Sequence, residues 1–210
     1  MANLTDLTSK EFLTELASAA PAPGGGGGAA MAGALAAALS SMVCNLTLGK
    51  ERFAAQEAEV QSVLTKAEHV RERLLELVQE DAAVFNSFMS CYKLPKATDE
   101  EKAARTAAIR AAAKKAAEVP LAIARESFAV LKLADELVVC GNPGVITDGA
   151  CSGLLARAAL RCAEYNVRIN LGLTKDAEWN AQVQAELEAM LTQSEALEAK
   201  LLAVTDKALA

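Results

Sequence analysis

The chain has 210 residues, a formal net charge of −6 and 52% hydrophobic residues, of which aromatics supply only 4% of the chain. Alanine in place of aromatic and β-branched residues favours closely packed helices over a β-sandwich. The acidic balance argues against nucleic acid as the main partner.

The polar N-terminal stretch, residues 1–10, lacks the apolar core of a signal peptide. The Ala-rich run at 29–43 is short for a bilayer span and reads as a buried core helix, so no membrane association is expected. The five cysteines are odd in number and form no Cys-x-x-Cys pair. Reduced thiols in a cytoplasmic protein are the simplest account. His69 is the single histidine and reads as a surface residue, which argues against a histidine-based metal site or a Ser-His-Asp triad. Cys44 and Cys151 read as core thiols.

In chain order, Thr8-Ser9-Lys10-Glu11 is a capping box that opens a helix through about Ala19. Pro21-Ala22-Pro23 breaks it. Five glycines, Gly24 to Gly28, then run directly into small, helix-competent residues. Ordering so many glycines is entropically unfavourable, so the run implies close approach of bare backbone to a helix or a ligand. A helix starting there also offers unpaired N–H groups. The spacing predicts a central helix from about Gly26 to Leu48. No Gly-Lys-Ser/Thr follows and no strand precedes, which argues against the common nucleotide loops.

Apolar positions from Val60 to Phe85 keep helical spacing and predict a helix from about Glu51 to Cys91. Thr98-Asp99-Glu100-Glu101 is a second capping box. The helix it opens should kink or restart at Pro120 and resume from Leu121 to about Val139. Cys140-Gly141-Asn142-Pro143-Gly144 marks a loop. A helix from about Thr147 to Asn170 follows, then a turn at 172–174. A last helix from about Asp176 carries a near-heptad apolar seam, Val183 to Val204, for a partner helix within or between subunits. One all-α domain over residues 1–210, an antiparallel bundle of long helices, is the economical reading.

Two carboxylates stand out. Asp81 neighbours Leu77, Val78 and Phe85 on its helix. It reads either as the edge of a solvent face or as a partly desolvated carboxyl suited to proton transfer. Asp148 opens a helix and reads either as a dipole partner or as a site carboxylate. Asn45 and Asn170 lie in apolar helical contexts, where an amide needs a partner. Asn142 reads as a turn residue or a ligand contact.

Several segments carry a resemblance when taken together. They are Pro21-Ala22-Pro23-Gly24-Gly25-Gly26, Ser41 to Lys50, Asp81 with Phe85, Ala117 to Leu121, Gly141-Asn142, Thr147-Asp148 and Asn166 to Asn170. In this order, over about residues 8–205, the chain resembles the cyclodeaminase/cyclohydrolase family of folate enzymes. Thr147 stands where the family more often has Ser, and Gly28 where many members have Ser or Ala, a change that could alter how the loop meets a ligand. The resemblance implies an all-helical homodimer with a tetrahydrofolate one-carbon adduct held near the dimer interface, and neither metal nor cofactor. It leans to the branch that hydrolyses 5,10-methenyltetrahydrofolate to 10-formyltetrahydrofolate. Cyclodeamination of formiminotetrahydrofolate is the alternative, and a non-catalytic helical interaction protein a second. On this reading Asp81 and Asp148 are catalytic. Pro23, Gly24, Gly25, Gly26, Gly27, Asn45, Asn142, Asn170 and Lys50 contact substrate. Lys50, Arg157 or Arg161 is expected, on charge alone, to meet its glutamate tail.

Overall fold

The computed structural model describes residues 3–210. Met1 and Ala2, part of the polar N-terminal stretch and of the 1–210 domain reading, lie outside the described residues. The described residues form six α-helices, with no strand among them: α1 (Ser9–Leu16), α2 (Gly25–Asn45), α3 (Glu57–Cys91), α4 (Asp99–Cys140), α5 (Ile146–Thr174) and α6 (Ala177–Leu209).

Both capping boxes form. The Thr8 and Thr98 side chains accept from the amides of Glu11 and Glu101, whose carboxylates reach back to the cap amides. Helix α1 ends earlier than expected, at Leu16, and α2 ends at Asn45 rather than Leu48. Residues Glu51–Gln56 form a short 3-10 helix before α3, not its first turn. Pro120 neither kinks α4 into two elements nor restarts it: α4 runs unbroken through it. The expected turn at 172–174 is also displaced. Helix α5 continues through Gly172 to Thr174, and the chain reverses at Lys175, whose φ is 58°. The Asn180 amide supplies the cap there, donating to Leu171 O at 2.9 Å and accepting from Thr174 Oγ1 at 2.7 Å.

Helix α2 packs against α3, α4 and α5, and α6 lies across α4 and α5. Small residues let α2 take this central place. Its buried positions are all Gly, Ala, Ser, Val or Cys. At Gly33 a Cβ would lie 3.0 Å from Ser127 Oγ and 3.1 Å from Leu74 Cδ1, so the helix surfaces meet at backbone distance. A buried serine pair adds a polar tie: Ser152 Oγ donates to Ala36 O at 2.7 Å and lies 2.8 Å from Ser40 Oγ. By length and composition α2 alone among the described helices could cross a membrane, yet most of it is enclosed by its neighbours.

The seam of α6 is satisfied within the chain: Val183, Leu187, Met190 and Leu191 join the main core and Leu201 a smaller cluster with Ala134, Val138 and Ala150. The uncovered apolar residues lie elsewhere. Leu35, Ala38 and Met42 form an exposed stripe on α2, with Leu154 and Ala158 exposed on neighbouring α5. Cys44 is buried as expected, and burial pushes its thiol up to about 12. Cys151 is exposed rather than in the core, because it falls on the outward face of α5 beside Leu154.

Candidate functional site

The N-terminal turn of α2 meets the middle of α3 at Gly26 and Asp81. A Cβ on Gly26 would lie 2.2 Å from Asp81 Oδ1, so only bare backbone admits the carboxylate. Asp81 thus sits against the first turn of α2, where amides have no partner inside the helix. Burial raises its pKa above the ordinary 3.8, and the Gly27 amide opposes that shift.

Asp81 is one wall of a cavity of about 320 Å³. Gly24, Gly25 and Gly26 form another wall, Val84, Phe85 and Phe88 extend the α3 side, and Ala116 and Val119 of α4 close the back. Asn166, Ile169, Asn170 and Leu173 of α5 complete it. Most of this lining is apolar, with a few convergent polar groups, as befits a site for a flat heterocycle.

Of the residues expected from sequence, the cavity gathers Gly24, Gly25, Gly26, Asp81 and Asn170. Pro23 is buried beneath this turn, its Cβ facing Gly27, and joined to Ala22 by a cis peptide bond. Gly28 faces Leu16 of α1 rather than the cavity.

Asn45, Lys50, Asn142 and Asp148 sit at the opposite end of α2, about 30 Å away at 1.5 Å per residue over its 21 residues. There Lys50 Nζ donates to Leu46 O. Asn142 is buried and its amide is committed: Nδ2 donates to Leu46 O at 3.0 Å, and Oδ1 accepts from Gly144 N at 3.0 Å and Arg52 at 3.3 Å. Asp148 is half-buried in the first turn of α5, and Asn45 is exposed. Arg157 is engaged by Glu195 and Glu198 of α6, and Arg161 by the buried Glu164 at 2.7 Å.

Phe88 and Leu173 line the cavity without having been singled out, and Val119, Asn166 and Ile169, which lie in segments that carry the resemblance, line it without having been named as site residues. Two signals pointed there. Phe88 lies two turns after Asp81 on the same face, and Asn166 one turn before Asn170. Among the described residues no three His, Cys, Asp or Glu side chains come together as a metal site would need.

The sequence matches the family model described as Formiminotransferase-cyclodeaminase over residues 8–207. It is 44% identical over 194 residues to a methenyltetrahydrofolate cyclohydrolase of Methylorubrum extorquens, covering 92% of this chain and 93% of that protein. It is 32% identical to the formimidoyltransferase-cyclodeaminase of Sus scrofa, spanning 92% of this chain and 36% of that longer protein. The fold superposes on the crystal structure of formiminotetrahydrofolate cyclodeaminase from Thermotoga maritima with a TM-score of 0.87, at 27% identity, over 97% of this chain and 98% of that one. The chain belongs to the formiminotransferase-cyclodeaminase family.

Proposed function

We propose that this chain hydrolyses 5,10-methenyltetrahydrofolate to 10-formyltetrahydrofolate, with Asp81 as the general base. The observation that carries the reading is the Asp81 carboxylate, half-buried against Gly26 on the wall of an apolar cavity. The 44% identity to a cyclohydrolase along nearly the full length of both chains favours hydrolysis over deamination.

The methenyl carbon bridges two folate nitrogens and carries positive charge. A carboxylate beside it favours the cationic substrate and accepts a proton from attacking water. The C–O bond forms and a neutral carbinolamine results. The carbon–N5 bond then breaks as N5 takes the proton from Asp81, and the carbinolamine hydroxyl loses its own proton as it becomes the formyl carbonyl. One proton is released overall. Phe85, Phe88 and Ile169 offer apolar faces to the pteridine and aryl rings, and the bare Gly24–Gly26 backbone lets a flat ring approach closely.

The working unit is a homodimer on this reading. The exposed stripe Leu35, Ala38 and Met42 carries no charge and suits a self-complementary two-fold contact. A two-fold axis near the middle of α2 sets two such helices antiparallel. The Gly26 end of one protomer then lies beside the Asn45 end of its partner, so the two groups of candidate residues, about 30 Å apart in one chain, meet across the interface. Asp148 and Lys50 would act there on the partner's substrate, while Asn142, its amide committed within its own chain, would hold the neighbouring loop in place.

The direct test is Asp81→Asn. It should keep the fold and lose turnover by about 10²–10⁴-fold, the usual worth of general acid–base help. Near-native turnover would reject Asp81 as the base.

A further inference from the structure

Pro120 lies inside the 42-residue helix α4. A residue at that position would normally donate its N–H to the carbonyl four residues earlier, and proline has none. The carbonyl of Ala116 is therefore left without its helical partner, and an unpaired half-buried carbonyl is unfavourable.

The missing donor comes from another helix. Asn170 Nδ2 of α5 donates to Ala116 O at 2.9 Å and to Asn166 O at 2.8 Å. Both acceptors are backbone carbonyls, so the NH2 end of the amide must face them and Oδ1 must face away. Asn170 lines the cavity together with Asp81, and its Oδ1 takes no hydrogen bond from the described residues. Asn166 repeats the arrangement one turn earlier: its Nδ2 donates to Cys162 O at 2.8 Å. Asn170 Oδ1 and the Asp81 carboxylate are thus left as acceptors on the cavity lining, which suits a ligand edge that presents N–H donors.

We infer that Pro120 is a positioning residue: by freeing the Ala116 carbonyl it holds the Asn170 amide so that Oδ1 accepts an N–H from the ligand's heterocycle. The inference rests on the folate reading for the identity of that ligand, since the amide and amine edge of a pteridine is such a donor edge. The positioning half rests only on the α4–α5 geometry.

Three variants test it: Pro120→Ala, Asn170→Leu and the double. Pro120→Ala restores a backbone N–H that competes for Ala116 O. Its KM should rise about three- to tenfold, the range of one net hydrogen bond, with kcat within about twofold and Tm unchanged or higher. Asn170→Leu removes the acceptor and should raise KM about tenfold. It also leaves Ala116 O unpaired, and the double variant repairs that. The double should therefore be more stable than Asn170→Leu alone and no worse in KM, because both changes act on one contact. An unchanged KM in Pro120→Ala, or KM effects that multiply in the double, would overturn the inference.

A second readout separates this from the functional reading. In the unliganded wild type, the Asn170 side-chain NH2 should exchange slowly with solvent by NMR, and faster in Pro120→Ala. Equal exchange in both would overturn the positioning role whatever the substrate. A wild type that turns over no folate adduct, yet shows the exchange difference, would reject the folate reading and leave Pro120 positioning Asn170 for another N–H donor.

Discussion

Gly26 and Asp81 are matched by what the glycine lacks: a single added carbon at position 26 would stand 2.2 Å from Asp81 Oδ1. Asp81 Cγ and Oδ2 would stand 2.6 and 2.7 Å from the same carbon, so the whole carboxylate would have to move. Gly26→Ala should displace Asp81 and lower turnover by at least tenfold. Gly28, two residues on, has only Leu16 Cδ2 at 3.9 Å. Gly28→Ala should stabilise the chain by about 0.4–1 kcal/mol through helix propensity and unfolded-state entropy. Its turnover should stay within about twofold. Thermal melts and steady-state rates on the two variants check the contrast.

The raised pKa of Asp81 links activity to stability. Its folded form binds a proton more tightly than its unfolded form. The stability this contributes is full below the ordinary value of 3.8 and is lost as pH rises through the folded pKa. At neutral pH the ionised carboxylate is the less favourable form, so Asp81→Asn should melt above wild type at pH 7. That advantage should vanish at low pH. In the active enzyme kcat/KM should fall on the acid side with an apparent pKa above 3.8. Melts and rates across a pH series check both signs.

The uncharged stripe on α2 predicts the assembly. Leu35→Glu places a charge at the centre of the proposed two-fold contact and should convert a dimer to monomers in light scattering. Turnover should fall with it, since each site would lose the partner's Asn142 and Asp148 end. A wild type that is monomeric at working concentration would reject this arrangement.

The buried serine pair should matter for stability and not for chemistry. Ser152→Val leaves Ser40 Oγ buried without its partner, at a cost of about 1–3 kcal/mol. KM should be unchanged, as Ser152 lies deep between α2 and α5, away from the cavity lining.

The helices were legible because their signals are local. Both capping boxes and the apolar periodicities of α3 and α6 lie within single segments. Pro120 misled because its remedy comes from Asn170, 50 positions along the chain, and no local rule contains that bond. The turn expected at 172–174 was displaced for a similar reason: Asn180 and Thr174 supply a cap that lets α5 pass Gly172. Asp81 and the glycines were joined as one site by the family resemblance; read alone, the glycine run implied close approach to a helix or a ligand, and Asp81 was either a solvent-edge or a desolvated carboxyl. The separation of Asn45, Lys50, Asn142 and Asp148 from them was not legible. It follows from α2 being an unbroken helix of 21 residues, with the two groups at its opposite ends.

The most direct test of the central claim sets two substrates side by side with the purified wild-type chain. Absorbance decay of 5,10-methenyltetrahydrofolate is followed above its uncatalysed background, and ammonia release from formiminotetrahydrofolate is measured in parallel. The account predicts rapid methenyl loss and no ammonia. Ammonia release with methenyl formation would contradict it and make the chain a cyclodeaminase, and the absence of both signals would reject either folate activity.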